Sequence, residues 1–149
     1  VVMEKSIKKI IKQTLHRMDM DSEEARELIY HTGKAESGYR NLEQINGPAL
    51  GFFQVEPDTA YDIWKNYVFY RPEMRDSIWS LGFLDDDVEF CLLSNIALQV
   101  AFCRLQYRRD KHPLPGIGDY KGQAEYWKRV YNTEKGRGTI KHFLKAIGV

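Results

Sequence analysis

The sequence predicts one mainly helical domain. Three observations lead there. Seven segments carry apolar residues at helical spacing, the runs apolar enough to be strands are only four residues long, and no linker or repeat divides the 149 residues. A chain of this length, 43% hydrophobic and 13% aromatic, is large enough for one sizeable core, so a single domain over 1–149 is expected.

In chain order, Glu4 to Met18 places Ile7, Ile10, Ile11 and Leu15 on one side and Lys5, Lys8, Lys9 and Lys12 elsewhere. A basic amphipathic helix of this kind either lies on a membrane surface or anionic polymer, or docks by its apolar face as a solvated surface helix. Asp21 to Ala35 is the second helix, with Asp21 as N-cap, Glu24 three residues on, and Ala25, Leu28, Ile29 and Thr32 along one face. Further helices are expected at Pro57 to Asn66, Arg71 to Trp79, Gly122 to Tyr131 and Thr139 to Ala146. Phe52 to Val55 and Tyr67 to Tyr70 are extended candidates, too short to support a sheet. Val88 to Arg108 is apolar on most sides, interrupted by Asn95, Gln99 and Arg104. Its unbroken apolar run falls short of the roughly 20 residues that span a bilayer, so it is expected to be a central buried helix.

Glu36 continues the apolar stripe of the second helix. It lies seven residues after Ile29, within roughly 20° of it at about 100° per residue, on the face that should meet the core, and Gly38 then stops the helix. A carboxyl between a core face and an open loop loses hydration, which raises its pKa towards the range of a general acid. On position alone, a Glu pointing into solvent from a frayed helix end is the more common outcome.

The residues that follow bear on that choice. Glu36-Ser37-Gly38-Tyr39, then Gly51-Phe52-Phe53-Gln54-Val55-Glu56-Pro57 with Thr59-Ala60, then Tyr131-Asn132-Thr133, resemble in order three motifs of the lytic transglycosylase and goose-type lysozyme superfamily. Gly47-Pro48-Ala49-Leu50-Gly51 and Asp62-Ile63-Trp64 look closer still to small phage-encoded proteins of that class. The resemblance implies a lysozyme-like fold built around one central helix, and cleavage of the β-1,4 glycosidic bond between N-acetylmuramic acid and N-acetylglucosamine in peptidoglycan. By motif it makes Glu36 the acid. Ser37 would orient that carboxyl or bind substrate, Gln54 and the backbone at Gly51 and Phe52 would line the cleft, and Tyr131 and Asn132 would hold the sugar and the carboxyl. Two departures touch the shape of the sugar site. Thr133 stands where Ala is usual, followed by Glu134-Lys135-Gly136-Arg137-Gly138 in place of Gly-Pro-Gly, and position 53 is Phe rather than Met.

A second carboxylate would decide between hydrolysis and the intramolecular transglycosylase route, since hydrolases set two carboxyls about 5 to 10 Å apart. Glu43, Glu56 and Asp58 are the candidates. Glu56 falls where goose-type lysozymes carry an Asp, yet with Pro57 behind it Glu56 and Asp58 also suit the positive end of a helix. In transglycosylases, the resemblance implies, the acetamido group and 6-hydroxyl of the substrate replace the base.

From Lys121 onward seven Lys or Arg face two acids, +5 against −4 for the rest of the chain. Such a cationic flank would steer the enzyme to an anionic wall. No nucleic-acid motif accompanies it. His16, His31, His112 and His142 match no metal-ligand spacing, so neither metal nor cofactor is expected. Cys91 and Cys103, twelve residues apart on the expected central helix, would lie about 18 Å apart and could not bridge. That suits a reducing compartment. Val1 to Ile11 has no uninterrupted hydrophobic segment, so no signal peptide is expected. On these grounds the chain is expected to be a monomer made in a host cytoplasm, without stable membrane insertion, that reaches the wall through a lysis pore or inside a phage particle. The competing reading is a catalytically silent wall-binding or virion structural module of the same shape.

Overall fold

The computed structural model describes residues 2–149; Val1, at the start of the lysine-rich segment, lies outside them. The order is α1 (Val2–Arg17), α2 (Glu23–Glu36), α3 (Pro57–Ile63), α4 (Pro72–Ser80), α5 (Val88–Ser94), α6 (Ile96–Arg108), α7 (Tyr120–Tyr126) and α8 (Ile140–Ala146). The fold is mainly α: among the described residues there is no strand, only isolated bridges joining Glu43 to Leu50 and Leu50 to Val55.

Four details differ from the sequence expectation, each for a local reason. The N-cap of α2 is Ser22, not Asp21. Ser22 is extended and its Oγ accepts the Ala25 N–H at 3.1 Å, while Asp21 is held by Arg26 at 2.8 Å. The run from Val88 to Arg108 is two helices, not one, meeting at 108°. Asn95 breaks it: Oδ1 accepts the Leu98 N–H and so caps α6, while Nδ2 donates to the Leu81 carbonyl. A side chain that satisfies backbone groups locally ends one helix and starts the next. The expected 18 Å between Cys91 and Cys103 therefore does not apply, because they sit on different helices; both are buried free thiols. No single described helix is long and apolar enough to cross a membrane.

Tyr67 to Tyr70 is not extended. α3 continues as a π-turn over Trp64–Val68, closed by the Phe69 N–H on the Trp64 carbonyl at 2.9 Å. Phe52 to Val55 is a tight turn rather than a strand, with Leu50 and Val55 exchanging backbone bonds of 2.9 and 3.1 Å across it. Short apolar runs do not declare their period.

The central helix is α6. Leu98, Val100, Ala101, Phe102, Cys103 and Leu105 are fully buried, and α1, α2, α3, α5 and the end of α7 pack around it. α1 docks by Ile7, Ile11 and Leu15, all buried. Gly33 lets the chain double back over α2, because a Cβ there would overlap the Tyr39 ring that lies across it.

Candidate active site

Glu36 ends α2 and is half-buried. Its Oε2 accepts the indole N–H of Trp127 at 2.9 Å. Burial pushes its carboxyl up from 4.5 to about 7, against the opposing pull of the indole, which favours the ionised form. Trp127 opens a π-turn, Trp127–Asn132, that widens the end of α7 and is closed by the Thr133 N–H on the Lys128 carbonyl at 2.8 Å. π-turns inside helices recur at functional sites. Trp127 is buried against Phe143 of α8 at 5.3 Å. His142, also on α8, holds the last turn of α2 through its Nε2 and the Ala35 carbonyl at 2.8 Å. A carbonyl only accepts, so that ring nitrogen carries the proton.

The turn after Gly51 is fastened to the same corner from three sides. Ser37 donates its hydroxyl to the Phe52 carbonyl at 2.6 Å and accepts the Tyr39 N–H at 3.0 Å. The hydroxyl expected to orient the carboxyl or bind substrate is thus committed to holding the loop against the end of α2. Tyr131, buried and stacked on Tyr107 at 5.1 Å, donates its hydroxyl to the Phe53 carbonyl at 2.7 Å. Its hydroxyl pKa lies well above the usual value, through burial first, with the Cys103 and Glu36 charges adding to it. From below, the buried Gln99 of α6 accepts the Phe52 N–H at 3.0 Å. Gly51 (φ +79°) has no room for a side chain, since a Cβ would lie 2.6 Å from Gln99 Cδ and 2.8 Å from the Leu92 carbonyl oxygen.

Glu36, Ser37, Phe52 and Tyr131 are therefore gathered at one corner. Gln54 sits in the turn in a left-handed conformation (φ +54°) and folds its amide back onto the Gly51 carbonyl at 2.8 Å. Asn132 accepts from Lys128 Nζ at 2.8 Å, and the same ammonium closes the following loop through the Thr133 and Gly136 carbonyls. A Cβ at Gly136 or Gly138 would overlap the Asn132 side chain, so these glycines serve the close packing of this different loop. Glu56 is exposed just before α3, with Pro57 at the first helical position, and among the described residues no side-chain hydrogen bond ties it to the other site residues. Among the described residues no three His, Cys, Asp or Glu side chains are grouped to hold a metal ion.

Sequence reasoning missed Trp127 and Gln99. Gln99 carried a signal, as one of three polar residues in an apolar run; Trp127 carried none beyond lying four residues before Tyr131. Trp127→Phe removes the only hydrogen-bond donor to the Glu36 carboxyl among the described residues. The carboxyl pKa should rise further, because the lost indole hydrogen bond favoured the ionised form, and the rate of any reaction Glu36 serves should fall about tenfold as the carboxyl loses its fixed direction. A pH–rate profile of the variant reads both effects.

Comparison of the chain with protein-family models, with curated proteins and with solved structures found no match.

Proposed function

We propose that this chain cleaves the β-1,4 glycosidic bond between N-acetylmuramic acid and N-acetylglucosamine in bacterial peptidoglycan, with Glu36 as the general acid. The observation that carries the reading is the Glu36 carboxyl itself: half-buried, held at about 7, and fixed in direction by Trp127. A solvent-exposed Glu at a frayed helix end would have neither property. At neutral pH about half of such carboxyls hold a proton, which suits donation to a leaving glycosidic oxygen. The resemblance of three motifs to lytic transglycosylases and goose-type lysozymes supports the substrate class.

In the proposed reaction Glu36 protonates the glycosidic oxygen as the bond to the anomeric carbon breaks. The carbocation-like sugar is then attacked either by water, giving a muramidase, or by its own 6-hydroxyl, giving a lytic transglycosylase, and the attacking oxygen returns a proton to the Glu36 carboxylate, which restores the acid. In this reading the glycan lies against the turn at Gly51–Gln54, which Ser37, Tyr131 and Gln99 clamp beside the acid. The +5 carboxy-terminal flank adds long-range attraction to an anionic wall. The enzyme acts as a monomer on the wall, reached through a lysis pore or from within a phage particle.

Release of dye-labelled fragments from purified peptidoglycan tests the reading. The rate is expected to level off below pH 7 and to fall about tenfold per pH unit above it, as the acid form of Glu36 disappears. No release, or a rate that climbs with pH through 7, would refute the assignment.

A further inference from the structure

A column of aromatic rings runs from the central helix to the surface. Phe102 of α6 meets Phe83 at 5.3 Å, Phe83 meets Trp64 at 4.6 Å, and Trp64 meets both Trp79 at 5.6 Å and Phe69 at 6.1 Å. The inner three are buried. The outer end is not: Trp79 is 46% exposed, Phe69 43%, and Tyr70, 5.8 Å from Phe69, 74%. Exposed rings this large, next to one another, weaken the hydrophobic return from the fold, and contiguous apolar surface on a monomer marks a contact site. The buried column behind them holds the platform in place before any ligand arrives, so little ordering cost remains on binding.

Arginines are interleaved with the rings. The Arg75 guanidinium lies 5.5 Å from the Phe69 centroid and 5.3 Å from that of Trp79. Arg71 lies 3.7 Å over Tyr67 and donates to its carbonyl. Arg75 is already engaged, its Nη1 donating to the Phe69 carbonyl at 3.3 Å and its Nε lying 3.7 Å from Asp76, whereas among the described residues no carboxylate lies within ion-pair distance of Arg71. A ring face accepts the C–H face of a pyranose, and a stacked guanidinium presents a flat fork that fits a carboxylate. One class of polymer offers both groups along its length, a polysaccharide bearing carboxylates. A neutral glycan lacks the anion.

We propose that the surface of Phe69, Tyr70, Arg71, Arg75 and Trp79 is a second glycan-binding site, which holds an acidic polysaccharide strand while the Glu36 site works on it. The site shares no residue with the Glu36 corner. The identification of that strand as peptidoglycan rests on the proposed function. Two linked points of attachment raise the local concentration of bonds at the acid and keep the enzyme on an insoluble substrate between cuts.

The test is co-sedimentation with purified insoluble peptidoglycan, in a Glu36→Gln background that leaves the polymer intact, with uncharged chitin as the second probe. Tyr70→Ala with Trp79→Ala is expected to weaken wall binding at least tenfold. Arg71→Glu, a change at an exposed position, is expected to weaken binding to peptidoglycan severalfold and to leave chitin binding unchanged, which separates a lost contact from a damaged fold. In the Glu36 background, the same variants should cut a short soluble glycan fragment at the parental rate. Unchanged wall affinity in both variants, or tighter binding of single-stranded DNA than of the wall, would overturn the second site. Patch-dependent wall binding by a protein whose parent releases no fragment would instead uphold the second site and remove the proposed catalysis.

Discussion

Glu36→Gln is expected to lower wall cleavage by about 10²–10⁴-fold, the usual worth of a general acid, while making the folded protein more stable at alkaline pH. The two effects have one origin. Burial holds the carboxyl at about 7 in the fold, against 4.5 for an exposed one. Between those values the folded chain keeps a proton that the unfolded chain has released. Stability therefore falls as pH rises from 4.5 to 7 and is unaffected by this group on either side of that window. At about 1.4 kcal/mol per pH unit, reduced because the group is only half-buried, the loss is about 1–3 kcal/mol. Glutamine has no proton to lose and still accepts the Trp127 indole N–H. The variant should thus match the parent at pH 4 and exceed it at pH 8, by about 3–9 °C in Tm. Calorimetry at the two pH values, beside the cleavage assay, checks both halves. A variant that is inactive but destabilised at pH 8 would mean that Glu36 is an ordinary structural contact.

Gly51→Ala is expected to be the most damaging single-methyl change near the site. The position needs φ +79° and already touches Gln99 and the Leu92 carbonyl, so the added carbon meets backbone as well as side chain. Left-handed strain of about 1 kcal/mol and overpacking of about 1–3 kcal/mol together give roughly 2–4 kcal/mol. Moving the turn would also pull Phe52 off the Gln99 amide and Phe53 off the Tyr131 hydroxyl, so activity should fall even well below the unfolding temperature. Gly116→Ala serves as the control. Nothing lies within 4 Å of its Cβ position, and its cost should stay within about 0.5 kcal/mol, as urea denaturation would show.

The helices were legible where apolar spacing was regular and long, as in α1, α2 and α6. The break at Asn95 was not, because whether an Asn inside an apolar run points to solvent or caps a new helix depends on the Leu81 carbonyl, fourteen residues away in sequence. The two π-turns were hidden because one extra residue in a turn leaves no compositional mark. Within the candidate site, Glu36 was found by its place on an apolar stripe, and Tyr131 and Ser37 by motif. Their bonds to the Phe53 and Phe52 carbonyls were not visible, since backbone partners carry no sequence signal. Trp127 stayed hidden for a further reason: its link to Glu36 spans ninety-one residues, and the indole that makes it packs against Phe143 of α8, sixteen residues further on.

That a protonated Glu36 cuts the glycan backbone of peptidoglycan can be read from mass spectrometry of the fragments released from purified wall by the parent and by Glu36→Gln. Soluble fragments cut between N-acetylmuramic acid and N-acetylglucosamine are expected from the parent, and almost none from the variant. Their ends identify the second step: 1,6-anhydro-muramic acid for attack by the 6-hydroxyl, reducing muramic acid for attack by water. Intact glycan strands after incubation with the parent, or equal cleavage by Glu36→Gln, would contradict it.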